Sequence, residues 1–226
     1  MTVIPSLNCR NEECVREKTE TLCAIGSPWV HVDVADGIFA PVVLSDNARV
    51  IKKIFEEKGY RGNIEVHLMV ANPEEYVGSW LESGARRIIV HAEAISDGTE
   101  LEKLKLECAS FGAELGIAVK ASTSEESLKP FLECGSFWTV LAVPIGFSGG
   151  VFEEEDSLKK ISFLRKNIPD AVIEIDGGMN EKTGVVVKNE GANVIVSGTF
   201  IFSHSDPKKA FRMLENLPRN EYNENV

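Results

Sequence analysis

The sequence predicts a closed (β/α)8 barrel, a TIM barrel of the α/β class. Short apolar runs alternate with amphipathic stretches along the chain, and this alternation indicates a parallel sheet covered by helices. Eight strand–helix units within 226 residues favour a closed barrel over an open doubly wound sheet. No linker interrupts them, so residues 1–226 are expected to form a single domain with a frayed C-terminal tail from about residue 218.

The strands are predicted from short apolar segments bounded by turn residues. They cover 3–7, 29–34, 63–70, 87–91, 114–119, 137–143, 171–175 and 193–196. Helices are predicted at 11–24, 45–58, 73–82, 98–111, 124–133, 153–167, 181–190 and 207–215, where apolar residues recur at helical spacing. Ser45 is expected to cap the second helix, and Pro73 suits the first turn of the third. Glycines such as Gly26, Gly59 and Gly191 fit helix C-caps.

The composition is that of an acidic globular protein. Hydrophobic residues make up 43% of the chain and charged residues 26%, and the net charge is −11. This charge repels nucleic-acid phosphates and anionic lipids, so neither nucleic acid nor a membrane is expected as a partner. Any anionic substrate must therefore be held by local features.

Cysteine usage and the termini bear on the compartment. The five cysteines are odd in number and form no CxxC motif, so neither a disulfide framework nor a thiolate zinc site is expected, and most should be reduced. The first residues lack a signal-peptide pattern, and no run of 18 apolar residues occurs. A cytoplasmic location is the expectation.

Ionisable residues stand near the carboxyl ends of the predicted strands, which is where barrel enzymes carry their chemistry. His31 and Asp33 are two residues apart, so they share one face of a strand. His67 lies late in the next strand, and Asp176 directly follows the seventh. Burying a charged side chain without a partner costs free energy, so a charged residue within a strand indicates a specific partner.

Two imidazoles and two carboxylates suit zinc, manganese, iron or cobalt. A single histidine is more often a hydrogen-bonded core residue, but the HxD pair with a second histidine and a strand-end aspartate favours one divalent metal ion. His91 closes another strand and is followed by Glu93. It is left out of the metal set, as a supporting or purely structural residue.

Glycines cluster after the last three predicted strands. Backbone amides freed by glycine, with helix N-termini behind them, bind phosphate without basic side chains. Each glycine alone fits a tight turn, yet three clusters at consecutive strand ends favour a phosphate site. The clusters are 146–150, Gly177 with Gly178, and 197–199.

These segments carry a family resemblance. The sequence resembles ribulose-phosphate 3-epimerase, in family order and over about residues 3–205. The matching segments are Pro5-Ser6-Leu7, HVDVADGIFAP (31–41), VHLMVANPEEY (66–76), VHAEA (90–94), GFSGGVF (146–152), EIDGGMN (174–180) and VSGTFIF (196–202).

The resemblance implies a ribulose-phosphate-binding barrel that interconverts D-ribulose 5-phosphate and D-xylulose 5-phosphate. Catalysis would remove and return a proton at C3 through an enediolate, with one divalent metal (zinc, iron, manganese or cobalt). The implied metal ligands are His31, Asp33, His67 and Asp176, and the acid/base pair is Asp33 and Asp176. The implied substrate-binding residues are Ser6, His67, Met69, Gly146, Phe147, Ser148, Gly149, Gly177, Gly178, Gly198 and Thr199.

The sequence also departs from the family pattern. Ala35 and Leu141 stand where methionines are usual, and Ile38 and Val42 replace commoner polar residues. The loop reads VPIGFSGG (143–150) where the family reads approximately VNPGFGGQ. A 3-epimerase of another ketose phosphate, such as allulose 6-phosphate, therefore stays open, although the DGG motif leans toward the pentose. A non-catalytic sugar-phosphate-binding barrel is the third reading, against which the complete metal set argues. Homo-oligomerisation is also left open.

Overall fold

A closed parallel barrel forms the centre of the protein in the computed structural model, as the sequence predicts. The structure describes residues 1–45, 47–146 and 149–218. Within these ranges the strands are β1 (Thr2–Leu7), β2 (Trp29–Asp36), β3 (Val43–Leu44), β4 (Asn63–Met69), β5 (Arg87–His91), β6 (Glu114–Lys120), β7 (Phe137–Leu141), β8 (Val172–Asp176) and β9 (Val194–Ser197). The two-residue β3 pairs antiparallel with the end of β2. The other eight are parallel, and β1 closes the barrel by pairing with both β2 and β9.

Helices cover the outside of the barrel and bury their apolar faces against it; Leu22, Trp80 and Leu164 are almost fully buried. They are α1 (Glu12–Ile25), α2 (Ala48–Lys58), α3 (Glu74–Glu82), α4 (Gly98–Ser110), α5 (Glu125–Leu128), α6 (Glu154–Asn167), α7 (Glu181–Glu190), α8 (Thr199–Phe202) and α9 (Pro207–Glu215). Among the described residues, none of these helices has the length and apolar character needed to span a membrane.

Two local predictions are wrong. Ser45 does not cap α2: it has a φ of 40° and its hydroxyl donates to the Cys9 carbonyl, whereas Asn47 caps the helix by accepting from the Val50 N–H. The helix predicted at 124–133 ends at Leu128 and continues only as a 3-10 turn, because Pro130 has no N–H to donate. The predicted tail lies, from residue 219 onward, outside the described residues.

The strand register brings polar residues together inside the barrel. His31 pairs with Glu65, and Glu65 pairs with Arg87 on the next strand. Two residues closer to the carboxyl ends of these strands, Asp33 pairs with His67. Because paired residues of adjacent parallel strands point to the same side, these side chains share the barrel interior.

A disulfide joins the loop after β1 to the first turn of α1. Cys9 and Cys14 are bonded, with their Cα atoms 5.7 Å apart. The odd cysteine count gives no sign of this bond. Cys23, Cys108 and Cys134 are free, in line with the expectation that most cysteines are reduced.

Candidate active site

Four buried side chains converge where β2, β4 and β8 reach the carboxyl end of the barrel. They are the residues that the sequence selects as metal ligands, and one ligand atom from each lies within 4.8 Å of all the others: His31, Asp33, His67 and Asp176. Both imidazoles are fully buried, whereas the carboxylates keep a small exposed area toward the cavity above them. We call these four residues the quartet.

Each imidazole turns one nitrogen toward the carboxylates. His31 Nε2 lies 3.3 Å from Asp33 Oδ1 and 3.7 Å from Asp176 Oδ2. His67 Nδ1 lies 3.3 Å from Asp176 Oδ2 and 3.5 Å from Asp33 Oδ1. The two nitrogens and two oxygens therefore face one common point.

The quartet fits a divalent metal ion. His31 Nε2 and His67 Nδ1 are buried ring nitrogens without a hydrogen-bond partner, and a buried polar atom without a partner is costly. Two imidazole nitrogens with two carboxylate oxygens are a donor set that zinc, manganese, iron and cobalt accept. A metal ion at their common point would satisfy both nitrogens.

The charges of the quartet support one another. Burial alone would raise the pKa of Asp33, but the imidazoles of His31 and His67 outweigh burial and hold that pKa well below its usual range. Burial would likewise lower the pKa of His31, yet Asp176, Asp33 and Glu65 raise it well above its usual value. The pKa of His67 is raised despite its burial, by Asp176 and Asp33. The site therefore favours positive charge beside its carboxylates.

The second nitrogen of His31 is held by a carboxylate. His31 Nδ1 lies 2.8 Å from Glu65 Oε1, and Arg87 donates to the other Glu65 oxygen at 2.6 Å. Arg87 also donates to Glu114 at 2.9 Å. The guanidinium carbon lies 3.6 Å from the centre of the Phe137 ring. We call this row of side chains the His31 arm, and it runs from the quartet toward the amino-terminal end of the barrel.

A further buried glutamate lies beside the His31 arm. Glu174 accepts a hydrogen bond from the Thr139 hydroxyl at 2.9 Å. Burial and the negative charge of Glu65 raise the pKa of Glu174 well above its usual value. The pKa of Glu65 is instead lowered, because His31 and Arg87 outweigh its burial.

The second nitrogen of His67 is held differently. His67 Nε2 lies 2.9 Å from His91 Nε2, and His91 Nδ1 lies 3.1 Å from Glu93 Oε2. This row is the His67 arm. His91 thus contacts a quartet residue without belonging to the quartet, in agreement with its omission from the predicted metal set.

Asp33 divides its two oxygens between two tasks. Oδ1 faces the imidazoles, whereas Oδ2 accepts hydrogen bonds from the Ser6 hydroxyl at 2.7 Å and from the Asn8 amide at 3.3 Å. Ser6 is predicted from the sequence, but Asn8 is not. Side chains alternate along an extended strand, so residues 4, 6 and 8 share a face. This spacing could have predicted Asn8 from Ser6.

A cavity of about 300 Å³ opens above the quartet. Asp33 and Asp176 reach its floor, while His31 and His67 lie beneath it and do not line it. Most of the predicted substrate-binding residues meet in its wall: Ser6, Met69, Gly146, Gly149, Gly177, Gly178, Gly198 and Thr199. Phe147 and Ser148 lie outside the described residues.

The glycines bring the backbone close to this cavity. Gly177 has a φ of 106°, and a Cβ there would lie 2.4 Å from a Val143 methyl carbon. A side chain at this position would therefore clash and strain the backbone. Lining residues that the sequence analysis does not assign to substrate binding include Asn8, Leu141, Val143, Met179 and Asn180.

Comparison with known proteins identifies the relatives of this chain. The model of the ribulose-phosphate 3 epimerase family matches residues 2–202. A ribulose-phosphate 3-epimerase from Schizosaccharomyces pombe is 33% identical over 218 residues, which are 95% of this chain and 92% of that protein. The cytoplasmic isoform from Oryza sativa is 30% identical over 217 residues, covering 94% and 92%.

Solved structures show the same barrel. A 3-hexulose-6-phosphate synthase from Salmonella typhimurium superposes with a TM-score of 0.71 at 14% identity, covering 96% of this chain and 98% of that one. A KGPDC from Streptococcus mutans superposes with a TM-score of 0.68 at 12% identity, covering 95% of each chain. At these identities the likeness concerns the fold alone.

Proposed function

This chain belongs to the ribulose-phosphate 3-epimerase family, and we propose that it interconverts D-ribulose 5-phosphate and D-xylulose 5-phosphate. One observation carries the proposal. Two aspartates from separate strands, β2 and β8, reach the floor of a glycine-lined cavity of sugar-phosphate size. Inversion of a carbon centre needs a base and an acid that approach from different sides, and this pair supplies both.

The chemistry moves one proton off C3 and another onto it. The C3 hydrogen of a 2-ketose phosphate is acidic because its electron pair can delocalise onto the C2 carbonyl oxygen. One carboxylate, Asp33 or Asp176, takes this proton and forms an enediolate. The other, in its protonated form, delivers a proton to the opposite face of C3, and the roles exchange in the reverse direction.

His31, Asp33, His67 and Asp176 would hold the divalent metal. When bound, such an ion supplies positive charge that stabilises the negative oxygens of the enediolate as a Lewis acid. The chain's own contribution is orientation. Ser6 and Asn8 bind Oδ2 of Asp33 and thereby leave Oδ1 turned toward the imidazoles.

The phosphate group is assigned to main-chain amides at the other side of the cavity. Gly149, Gly177, Gly178, Gly198 and Thr199 line that wall together, as consecutive strand ends predict. Amides bind phosphate without a basic side chain, so a chain with a net charge of −11 can still hold an anionic sugar. Gly146 lines the same cavity, and Met69 contributes to its apolar wall. Substrate binding by Phe147 and Ser148, which lie outside the described residues, stays a prediction.

A second substrate is supported by the apolar wall of the cavity. Ala35 packs with Met69, Ala40 and Leu44, so a small side chain stands beside the methionine. Met69, Leu141 and Val143 line the cavity. A wall of this kind also suits a longer ketose phosphate, such as allulose 6-phosphate, with the same C3 chemistry.

The test is proton exchange at C3. Metal-loaded protein is incubated in D2O with ribulose 5-phosphate or allulose 6-phosphate, and NMR follows C3 deuteration together with formation of the epimer. The pentose should react faster. Absence of exchange with both sugars would leave a non-catalytic binder and contradict the proposal.

Asp33→Asn and Asp176→Asn are the matched variants, since the amide keeps the shape and removes the base. Each should lower the exchange rate by about 10²-fold or more. Full activity in either variant would contradict its acid/base role. Metal analysis of the purified protein separates this outcome from simple loss of the ion.

A further inference from the structure

The imidazole of His67 has two nitrogens with different surroundings. Nδ1 faces Asp33 and Asp176, and Nε2 faces His91 Nε2 at 2.9 Å. A neutral imidazole carries one proton, and a metal ligand needs a lone pair on the nitrogen that binds. If Nδ1 binds the ion, the proton of His67 must therefore lie on Nε2.

The position of that proton determines which nitrogen of His91 carries its own proton. His67 Nε2–H can donate only if His91 Nε2 is an acceptor, so the proton of His91 lies on Nδ1. His91 Nδ1 is 3.1 Å from Glu93 Oε2, which completes the row with an anionic acceptor. With one proton on each ring, any other placement leaves two donors or two acceptors facing each other.

Glu93 is itself fixed by the neighbouring strand end. Its Oε1 accepts from the Lys120 backbone N–H at 2.9 Å and from the Thr123 hydroxyl. Burial would raise the pKa of Glu93, but these bonds and the one from His91 lower it to about 2. The carboxylate is therefore an anion with a defined orientation.

Two aromatic rings pack against His91. It is fully buried, and its ring lies at 21° to that of His67 with the centroids 4.9 Å apart. Phe39 covers it with a centroid distance of 5.0 Å, and Lys120 lies over the Phe39 ring. This packing holds His91 in a fixed orientation beside His67.

We propose that His91, oriented by Glu93, is a positioning residue that fixes His67 in the tautomer whose Nδ1 is free to bind the metal. The inference rests on the proposed function only in that His67 holds a metal ion. Neither His91 nor Glu93 lines the cavity among the described residues, so they act through His67 and not on the sugar.

The first experiment observes the protons directly in the unmodified protein. The long-range ¹H–¹⁵N spectrum of zinc-loaded protein, with ¹⁵N-labelled histidine, distinguishes the two tautomers of each ring. We expect His67 to carry its proton on Nε2 and His91 on Nδ1. A proton on His91 Nε2, or a wild-type protein that binds no zinc, would overturn the proposal.

The second experiment measures metal affinity without any substrate. Metal-free protein is titrated with Co²⁺, and the visible spectrum reports both Kd and coordination. His91→Phe keeps a ring but removes the acceptor, and we expect Kd to rise by about 10- to 100-fold. His91→Gln returns an oxygen acceptor and should recover part of that loss.

Two controls make the result specific. His204→Phe removes an imidazole that lies in the turn before α9 and should leave Kd unchanged. Circular dichroism checks that each variant is folded. Equal Kd values for His91→Phe, His204→Phe and the wild type would overturn the proposal.

The outcome is separable from that of the proposed function. C3 exchange in the wild type tests the epimerisation, whereas the tautomers and the cobalt Kd test the positioning role. A protein with the expected tautomers and no C3 exchange would contradict only the epimerisation.

Discussion

The two imidazoles of the quartet are supported in different ways. His31 is held by an anion, Glu65, which is paired with the half-buried Arg87. His67 is held by a neutral imidazole, His91, and the anion Glu93 comes only after it. Both arms leave one nitrogen of their imidazole free for the metal. His31 contacts its anion directly, whereas the neutral His91 ring stands between His67 and the anion Glu93.

The difference follows from where each arm ends. The His31 arm runs toward the amino-terminal end of the barrel, where Glu65 is fully buried and Arg87 balances its charge. The His67 arm runs toward the carboxyl end, where the Lys120 amide and the Thr123 hydroxyl hold Glu93. Both arms should therefore contribute to stability and to metal affinity, to different degrees.

The largest effect is expected from Arg87→Met, which breaks the His31 arm at its base. The variant leaves Glu65 buried without its cation, and removal of one partner of a buried pair costs about 3–5 kcal/mol. Guanidinium unfolding of the metal-free protein measures it. Arg86→Met, at an exposed neighbouring position, should change stability by no more than about 0.5 kcal/mol. Equal stability of the two variants would show that Arg87 does not balance the buried charge.

The next effect concerns pH and the His67 arm. The pKa of Glu93 is lowered from 4.5 to about 2, so its contribution to stability is complete above pH 4.5 and is lost as the pH falls toward 2. A shift of this size is worth on the order of 3 kcal/mol. The stability difference between wild type and Glu93→Gln should therefore be constant from pH 7 to 5 and shrink below 4.5. A difference that grows with acidity would refute the assignment.

A smaller effect is expected from Glu65→Gln on metal affinity. The amide oxygen can still accept from His31 Nδ1–H, but the negative charge behind the ligand is gone. We expect the cobalt Kd to rise by about tenfold or more, and by more than in Glu93→Gln, since Glu65 touches its ligand directly. Glu114→Gln is the matched control, because Glu114 contacts Arg87 and not His31. If Glu93→Gln weakens binding more than Glu65→Gln, the comparison of the arms is wrong.

The smallest effect is expected from removing the hydrogen bonds to Asp33 Oδ2. Asn8→Ala removes the longer of the two bonds to Oδ2, and Ser6→Ala removes the shorter. A long bond to a carboxylate is worth about 1 kcal/mol, so Asn8→Ala should slow C3 exchange by about fivefold and Ser6→Ala by more. Initial rates at saturating substrate measure both. The reverse order would mean that Asn8, not Ser6, fixes the carboxylate.

The sequence predicts the barrel and the quartet because both follow from short patterns. Alternating strand and helix segments indicate the fold, and His31 with Asp33 shows two ionisable residues on one strand face. The same two-residue spacing links Glu65 to His67 and Glu174 to Asp176, so it could also have indicated Glu65 of the His31 arm and the neighbouring Glu174.

Other features of the structure depend on strand register and on the shape of loops. Arg87 reaches Glu65 because their strands pair at these positions, and the stagger of a closed barrel is not readable from periodicity. The Cys9–Cys14 bond depends on how the loop after β1 folds back. Pro130 is visible in the sequence, yet the helix pattern around it hides the early end of α5.

The amino-terminal end of the barrel is filled by side chains beneath the quartet. Arg87 lies over the rings of Trp29 and Phe137, and Glu65 and Glu174 have no exposed surface. Among the described residues, Asp33 and Asp176 contact the cavity at the opposite, carboxyl end. We expect a sugar phosphate bound in that cavity to separate both carboxylates from bulk water. A proton taken from C3 would then exchange with bulk water only as fast as the product leaves.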